Sequence, residues 1–259
     1  MTHAVNQNAP DPVDARRWRL GHWLRHDAAR LLWPGRCLVC DAPGADGLDL
    51  CEACTAELPW NHAACATCAL PLPAPADACG TCLRRGARIA RQGGRPAVAS
   101  VSAAFVYAAP LDRLLPRFKF HNDLAAGRLL AELMAQGLAA APRPDAIIPV
   151  PLHRARLRRR GFDQALELAR PLARALDVPL DARLLHRTRD TRAQSTLDAV
   201  HRRRNLRDAF AVRPAARPPA HVVLVDDVMT TGATLHAAAL ALRSAGVARV
   251  DAWVCARTP

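Results

Sequence analysis

Residues Val222 to Leu235 read VVLVDDVMTTGATL, an apolar run that ends in two carboxylates and opens into a Thr/Gly loop. A short Val/Leu run without period-2 alternation predicts a strand buried on both faces, as in a parallel sheet covered by helices. In such a sheet, ligands collect at the carboxyl ends of strands, where the next helix begins. Asp226 and Asp227 fall at that end. The loop after them offers backbone N–H groups, threonine hydroxyls and the positive end of the following helix, which together suit a dianionic phosphate. Gly232 permits close approach and an unusual φ. A P-loop needs GxxxxGK[ST], and this loop has no lysine; a dinucleotide fingerprint needs GxGxxG, and only one glycine is found. A sugar phosphate fits better, its vicinal hydroxyls on the carboxylates and its phosphate in the loop. An Asp pair alone would merely end a strand beside helix-capping threonines, but the whole string goes further than that.

Outward from this stretch, strands and helices alternate. AVASVSAAFVY reads as a strand, NDLAAGRLLAELMAQGLAA has helical apolar spacing, and DAIIPVPL is a short strand stopped by prolines. GFDQALELARPLARAL predicts a helix that Pro171 should kink or divide. A strand near 180–186, an Arg-rich segment from Arg187 to Arg207, a helix from about Gly232 to Ala245 and a last strand RVDAWVCA complete the pattern. The whole predicts an α/β domain from residue 97 to 259. Residues 85–96, rich in Arg and Gly, are expected to link it to what precedes.

Eight of the nine cysteines form four CxxC pairs, CLVC, CEAC, CATC and CGTC, each starting 14 residues after the last. Two such turns complete a tetrahedral four-thiolate zinc site, so four predict two sites in residues 36–84. Disulfides need an oxidising compartment, and a redox dithiol needs one CxxC at a helix N-terminus instead of a tandem array. Sequential pairing puts Cys37, Cys40, Cys51 and Cys54 on one metal and Cys65, Cys68, Cys79 and Cys82 on the other; an interleaved pairing is the alternative. Glycine often follows the second cysteine of a zinc knuckle, where φ can be positive, but Asp41, Thr55, Ala69 and Leu83 stand there. Saturated thiolate sites have no open position for water, so these metals stabilise and do not catalyse. Cys255 in VDAWVCAR is expected to be a packed strand residue.

The charge balance is 36 Lys and Arg against 23 Asp and Glu, a formal +13 that favours polyanionic partners. Lys119 is the only lysine in the chain, and a compact ammonium differs from an arginine fork in what it can hold. No apolar run reaches the roughly 18 residues of a membrane span, and no signal-like stretch opens the chain, so a cytoplasmic protein is expected. Residues 1–35 are expected to be a partly disordered arm, with RRWRLGHWLRHDAARLLW packing its Trp and Leu on protein or, alternatively, lying on a membrane surface.

VVLVDDVMTTGATL resembles the PRPP-binding motif of type I phosphoribosyltransferases. That resemblance implies that Asp226 and Asp227 contact the ribose hydroxyls, directly or through Mg²⁺, and that Thr230, Thr231, Gly232, Ala233 and Thr234 wrap the 5′-phosphate. The four cysteine pairs, FKF, VPLHRARLRRRGFDQ, RTRDTRAQSTLDAVHRRRNLRDAF, this string and a final AR together resemble the ComF family over about residues 31–257. The family implies a type I phosphoribosyltransferase fold, a parallel-sheet core with helices on both faces, preceded by a double zinc ribbon with two structural Zn²⁺. Arg154, Arg156, Arg158, Arg159 and Arg160 become candidates for pyrophosphate, and Lys119 for ligand contact. Arg187, Gln194, Arg202, Arg203, Arg204 and Asn205 resemble the mobile loop of these enzymes. Asp163 departs from the family's RGFNQ, and an acid there is expected to weaken phosphate affinity.

Two functions follow from different classes. One is a Mg²⁺-dependent transferase moving phosphoribose from PRPP to an acceptor. Several purine enzymes carry an acid at the position of Thr230, and a hydroxyl is a poor general base, so ordinary purine salvage is not expected. The other is a single-stranded DNA-binding competence factor whose phosphoribosyltransferase domain senses ligand without catalysis, with DNA or competence proteins as partners. Low aromatic content gives that second function little for base stacking.

Overall fold

The computed structural model describes residues 35–189, 209–213 and 218–259. These fall into two compact units, divided between Thr55 and Ala56. No helix among the described residues is long and apolar enough to cross a membrane.

The first unit contains one cysteine cluster. Cys37 and Cys40 lie in a tight turn closed by Asp41 N donating to Cys37 O at 2.9 Å, and Cys51 and Cys54 sit at the start of α1 (Glu52–Ala56). The second unit opens with the same device. Cys65 and Cys68 form the turn, with Ala69 N donating to Cys65 O at 2.7 Å, and Cys79 and Cys82 open α2 (Gly80–Arg91). Asp41 and Ala69 have φ of 65° and 54°. The positive φ expected of a knuckle glycine is thus kept by non-glycine residues, whereas Thr55 and Leu83 are helical.

Helix α2 replaces part of the linker expected at residues 85–96, and the compact division at Thr55 falls well before it. Arginine and alanine are good helix formers. The half-buried side of α2 is Cys82, Gly86 and Ile89, at i, i+4 and i+7, while Leu83 is exposed.

In the same unit lies a parallel sheet of four strands in the order β1 (Val101–Val106), β6 (Arg249–Arg257), β5 (His221–Met229), β2 (Ala146–Pro149). A two-stranded antiparallel pair, β3 (Leu185–Arg187) and β4 (Phe210–Val212), stands apart from it. Val222 to Val225 are all buried, as is almost all of β6, so the central strands are covered on both faces. Val222, Leu224, Val250, Ala252 and Val254 share a core with Leu235, Ala238, Ala239 and Leu242 of α7 (Ala233–Ser244). The alternate residues Val223, Val225, Trp253 and Cys255 are equally buried on the opposite face. Cys255 is therefore a packed strand residue, and its burial pushes the thiol up.

Three helices complete the frame. In α3 (Leu111–Phe120) the buried Leu111, Leu114, Leu115 and Phe118 recur at helical spacing despite Pro116. Asp123 caps α4 (Leu124–Gly137) by accepting from Ala126 N at 3.0 Å. Gly127 lets α4 approach α3, because a Cβ there would lie 2.4 Å from the Phe118 ring. Helix α6 (Gln164–Leu176) runs through Pro171 undivided, with Leu168, Ala169, Leu172 and Ala173 buried around it. Tertiary burial of that face outweighs the hydrogen bond that proline removes.

The outer edge of β1 is not bare. Val106 N donates to Pro59 O at 2.8 Å, Asn61 N to Ala104 O at 3.0 Å, and Trp60 packs on Phe105 with ring centroids 4.5 Å apart. The segment leading into the second cysteine cluster thereby covers a sheet edge.

Candidate functional site

All four strands of the sheet deliver their carboxyl ends to one cleft of about 550 Å³. Tyr107 follows β1, Val150 to Leu152 follow β2, Asp226 to Val228 close β5, and Thr258 follows β6. Thr230 and Thr234 line the same cleft, as do Lys119, Phe120, Arg156, Arg160, Asp163, Gln164 and Arg187.

The two carboxylates differ in their surroundings. Asp227 is buried and meets Lys119 Nζ at 2.7 Å, while its Oδ1 accepts from Val228 N at 2.7 Å. Asp226 Oδ1 accepts from Asp227 N at 2.9 Å. Burial, reinforced by the adjacent Asp227 charge, raises Asp226 to about 8. The only lysine of the chain thus sits on the acid pair as its counter-cation.

Beyond Met229 the chain turns through Thr230, Thr231 and Gly232, whose φ of 72° only glycine adopts without strain. Thr231 Oγ1 accepts from Ala233 N at 3.4 Å. The first turn of α7 has N–H groups without intrahelical acceptors, as every helix N-terminus does. Thr230 and Thr234 face the cleft, whereas Thr231 and Gly232 line a second cavity of about 510 Å³ behind the loop.

The basic segment after β2 is the short helix α5 (Arg154–Arg160), capped by His153 and ended by Gly161 at φ 81°. Helical geometry sorts its five arginines. Arg156 and Arg160, one turn apart, line the cleft; Arg154, Arg158 and Arg159 are exposed and lie off its wall. Arg160 donates to Gln164 Oε1 at 2.9 Å and lies 5.6 Å from the Phe120 ring centroid. Gln194 and Arg203, with Arg202, Arg204 and Asn205, lie outside the described residues.

Several cleft residues had not been singled out from the sequence: Tyr107, Phe120, Gln164 and Thr258. Gln164 had a signal in its place beside the basic segment; Tyr107 and Thr258 had none, because their role depends on which strands end together. Asp163 does not face the cleft as a free acid. Its Oδ2 accepts from Leu152 N at 3.0 Å and its Oδ1 from Leu166 N at 3.2 Å, tying the β2 loop to the start of α6. Burial outweighs these donors and raises its carboxyl.

The cysteine clusters are sequential, not interleaved: Cys37, Cys40, Cys51 and Cys54 form one, and Cys65, Cys68, Cys79 and Cys82 the other. A tetrahedral site with Zn–S bonds of about 2.3 Å requires sulfur separations of about 3.8 Å. Cys40 and Cys51 sulfurs are 3.6 Å apart and Cys68 and Cys79 sulfurs 3.8 Å, far beyond a disulfide bond. Backbone donors overcome burial to bring Cys37 to about 6 and Cys65 to about 7, while burial and the neighbouring sulfurs push Cys54 and Cys82 up, as expected of thiols crowded together. Both clusters are built to hold structural Zn²⁺.

A parallel sheet with an acid pair and a Thr/Gly loop at its carboxyl edge, together with paired four-cysteine clusters, defines a double zinc ribbon protein of the type I phosphoribosyltransferase fold. Family patterns agree: the double zinc ribbon domain matches residues 28–83 and the phosphoribosyl transferase domain residues 163–259. Competence protein F of Haemophilus influenzae is 42% identical over 159 residues, covering 58% of this chain and 69% of its own. The DNA utilization protein YhgH of Escherichia coli O157:H7 is 39% identical, with 59% of this chain and 69% of that one covered. Competence protein ComFC of Bacillus subtilis is 29% identical, with 56% and 59% covered. The chain belongs to the ComF family. Among solved structures, orotate phosphoribosyltransferase from Aeropyrum pernix aligns at 25% identity and a TM-score of 0.33 over 56% of this chain and 63% of that one. The allosteric regulatory enzyme of purine biosynthesis aligns at 22% identity and a TM-score of 0.34, over 49% and 25%.

Proposed function

We propose that the cleft binds PRPP with Mg²⁺ and transfers its phosphoribosyl group to an acceptor, in a role in DNA uptake that is in line with the words competence and DNA utilization in the relatives' names. The observation that supports this is the convergence of an acid pair, a Thr/Gly loop and a cluster of cations on one cavity. Asp226 and Asp227 are assigned the ribose 2′ and 3′ hydroxyls, and Thr230 to Thr234 the 5′-phosphate. Lys119, Arg156 and Arg160 are assigned the pyrophosphate, with Arg154 and Arg158 contributing to the field around the cleft mouth.

In the transfer, the C1–O bond to pyrophosphate breaks with its electron pair on the leaving oxygen, and the acceptor forms a new bond to C1. Fixed cations stabilise the leaving charge as it grows. Asp227, joined by Asp226 once that group gives up its proton, offers oxygen ligands that suit a hard divalent ion, and Mg²⁺ when bound would neutralise ligand charge there. The ion pair of Lys119 with Asp227 supports a position suited to positive charge. Thr230 lacks the basicity to take the acceptor's proton, so the acceptor must enter deprotonated or lose its proton elsewhere.

A second function is favoured by the exposed arginines of α5, which lie off the cleft wall: electrostatic binding of single-stranded DNA, with the cleft as a ligand sensor. Calorimetry of the full chain with Mg-PRPP, repeated on Asp227→Asn, tests the main proposal. Binding that the variant loses supports it, and no binding by the native chain refutes it. Tight, salt-sensitive DNA binding with no PRPP turnover would favour the second function.

A further inference from the structure

Arg257 is buried, and no carboxylate lies within ion-pair distance of it among the described residues. A buried guanidinium is costly unless its donors are well used, and here they are spent on carbonyls from two places. Arg257 Nε donates to Cys68 O at 3.1 Å, in the knuckle of the second cysteine cluster. Its Nη1 donates to Met229 O at 3.3 Å and to the carbonyl and hydroxyl of Thr258. Met229 O also accepts from Thr258 N at 3.1 Å and from Thr258 Oγ1 at 3.3 Å. The peptide that begins the Thr230 to Thr234 loop is therefore fixed by Arg257 and its neighbour.

Cys68 O belongs to the knuckle in which Ala69 takes φ 54° and Ala69 N donates to Cys65 O at 2.7 Å. Its fold depends on the Cys65 N–H and Cys65 O bonds within the turn, which metal ligation holds in register. Cys68 and Cys82 also line the cavity behind the loop that Thr231 and Gly232 share.

We propose that Arg257 is a positioning residue that ties the phosphate loop to the second zinc knuckle, so that metal at Cys65, Cys68, Cys79 and Cys82 sets how well the loop is ordered. As far as it concerns ligand affinity, this rests on the assignment of PRPP to the cleft. The test uses the full zinc-loaded chain and the variants Arg257→Lys, Arg257→Met and Cys82→Ser. Zinc content is measured by elemental mass spectrometry, exchange of the Thr230 to Thr234 amides by hydrogen–deuterium exchange, and Mg-PRPP affinity by calorimetry. An ammonium cannot span both carbonyls as the guanidinium fork does. Arg257→Lys is therefore expected to keep its zinc while loop protection and affinity each fall about tenfold, the size of a lost charged hydrogen bond. Cys82→Ser is expected to lose zinc and show the same loop exchange. Native-like loop exchange in folded Arg257→Lys, or in Cys82→Ser after zinc loss, would overturn the proposal. If Arg257→Met fails to fold, Arg257→Lys decides. If the native chain does not bind Mg-PRPP, the ligand assignment fails, and loop exchange still decides the role of Arg257.

Discussion

Lys119→Met removes the one ammonium of the chain from its place 2.7 Å from Asp227 Oδ2. At an effective dielectric constant of 20, that separation corresponds to about 6 kcal/mol of attraction. Desolvation of both groups cancels much of it. With Lys119 28% and Asp227 10% exposed, the pair lies between a surface and a buried ion pair. A net loss of about 2 kcal/mol is expected, typical of a hydrogen bond to a charged group. In a domain of this size that lowers Tm by about 4–8 °C, read by differential scanning calorimetry. The substitution also leaves Asp226 and Asp227 side by side without their cation. Added Mg²⁺ is therefore expected to raise the Tm of Lys119→Met more than that of the native protein, whereas Lys119→Arg recovers only part of the loss. A Tm within about 1 °C of native, with the same response to Mg²⁺, would refute the role given to this ion pair.

Gly232→Ala forces a side chain into φ 72° and puts a Cβ 2.8 Å from Met229 Cε. The methionine end can move but the backbone cannot, so a loss of about 1–2 kcal/mol and weaker Mg-PRPP binding are expected by denaturation and calorimetry. Gly127→Ala meets the rigid Phe118 ring at 2.4 Å, and about 1–3 kcal/mol of destabilisation is expected without a change in ligand affinity per folded molecule. Asp226, raised from 3.8 to about 8 by burial and Asp227, keeps in the folded chain a proton that the unfolded chain has released. Its contribution to stability is thus full below about pH 4 and is lost as pH rises towards 8, with Asp227, Lys119 and Asp163 as its charged neighbours. Asp226→Asn is expected to gain Tm relative to native as pH rises over that range; parallel Tm curves would contradict this.

The parts of this fold that depend on local pattern were legible from the sequence. The run from Val222 to Val225 declared a two-sided strand, the helical apolar spacing of NDLAAGRLLAELMAQGLAA declared α4, and the spacing of the CxxC pairs declared the two clusters. Two features of the fold departed from that local pattern. Pro171 was expected to kink or divide its helix, yet buried Leu168 and Leu172 keep α6 undivided. Residues 85–91, expected to begin the linker at 85–96, are helical because their Arg and Ala favour a helix more than Gly86 and the polar composition suggest. In the site, the acid pair and the Thr/Gly loop were evident from their order alone. Which arginines of α5 face the cleft depended on helical phase, and Tyr107 and Thr258 on strand order, which no local signal supplies. Lys119 stood out as a lone lysine and as the centre of FKF, a candidate for ligand contact; its ion pair with Asp227 depends on α3 and β5 coming together.

The most direct test is a crystal structure of the full chain with Mg-PRPP bound. The expected complex has the ribose hydroxyls at Asp226 and Asp227, the 5′-phosphate within Thr230 to Thr234, and the pyrophosphate against Lys119, Arg156 and Arg160. A 5′-phosphate held by the arginines of α5, or a ligand wholly outside the cleft, would contradict the assignment of this site.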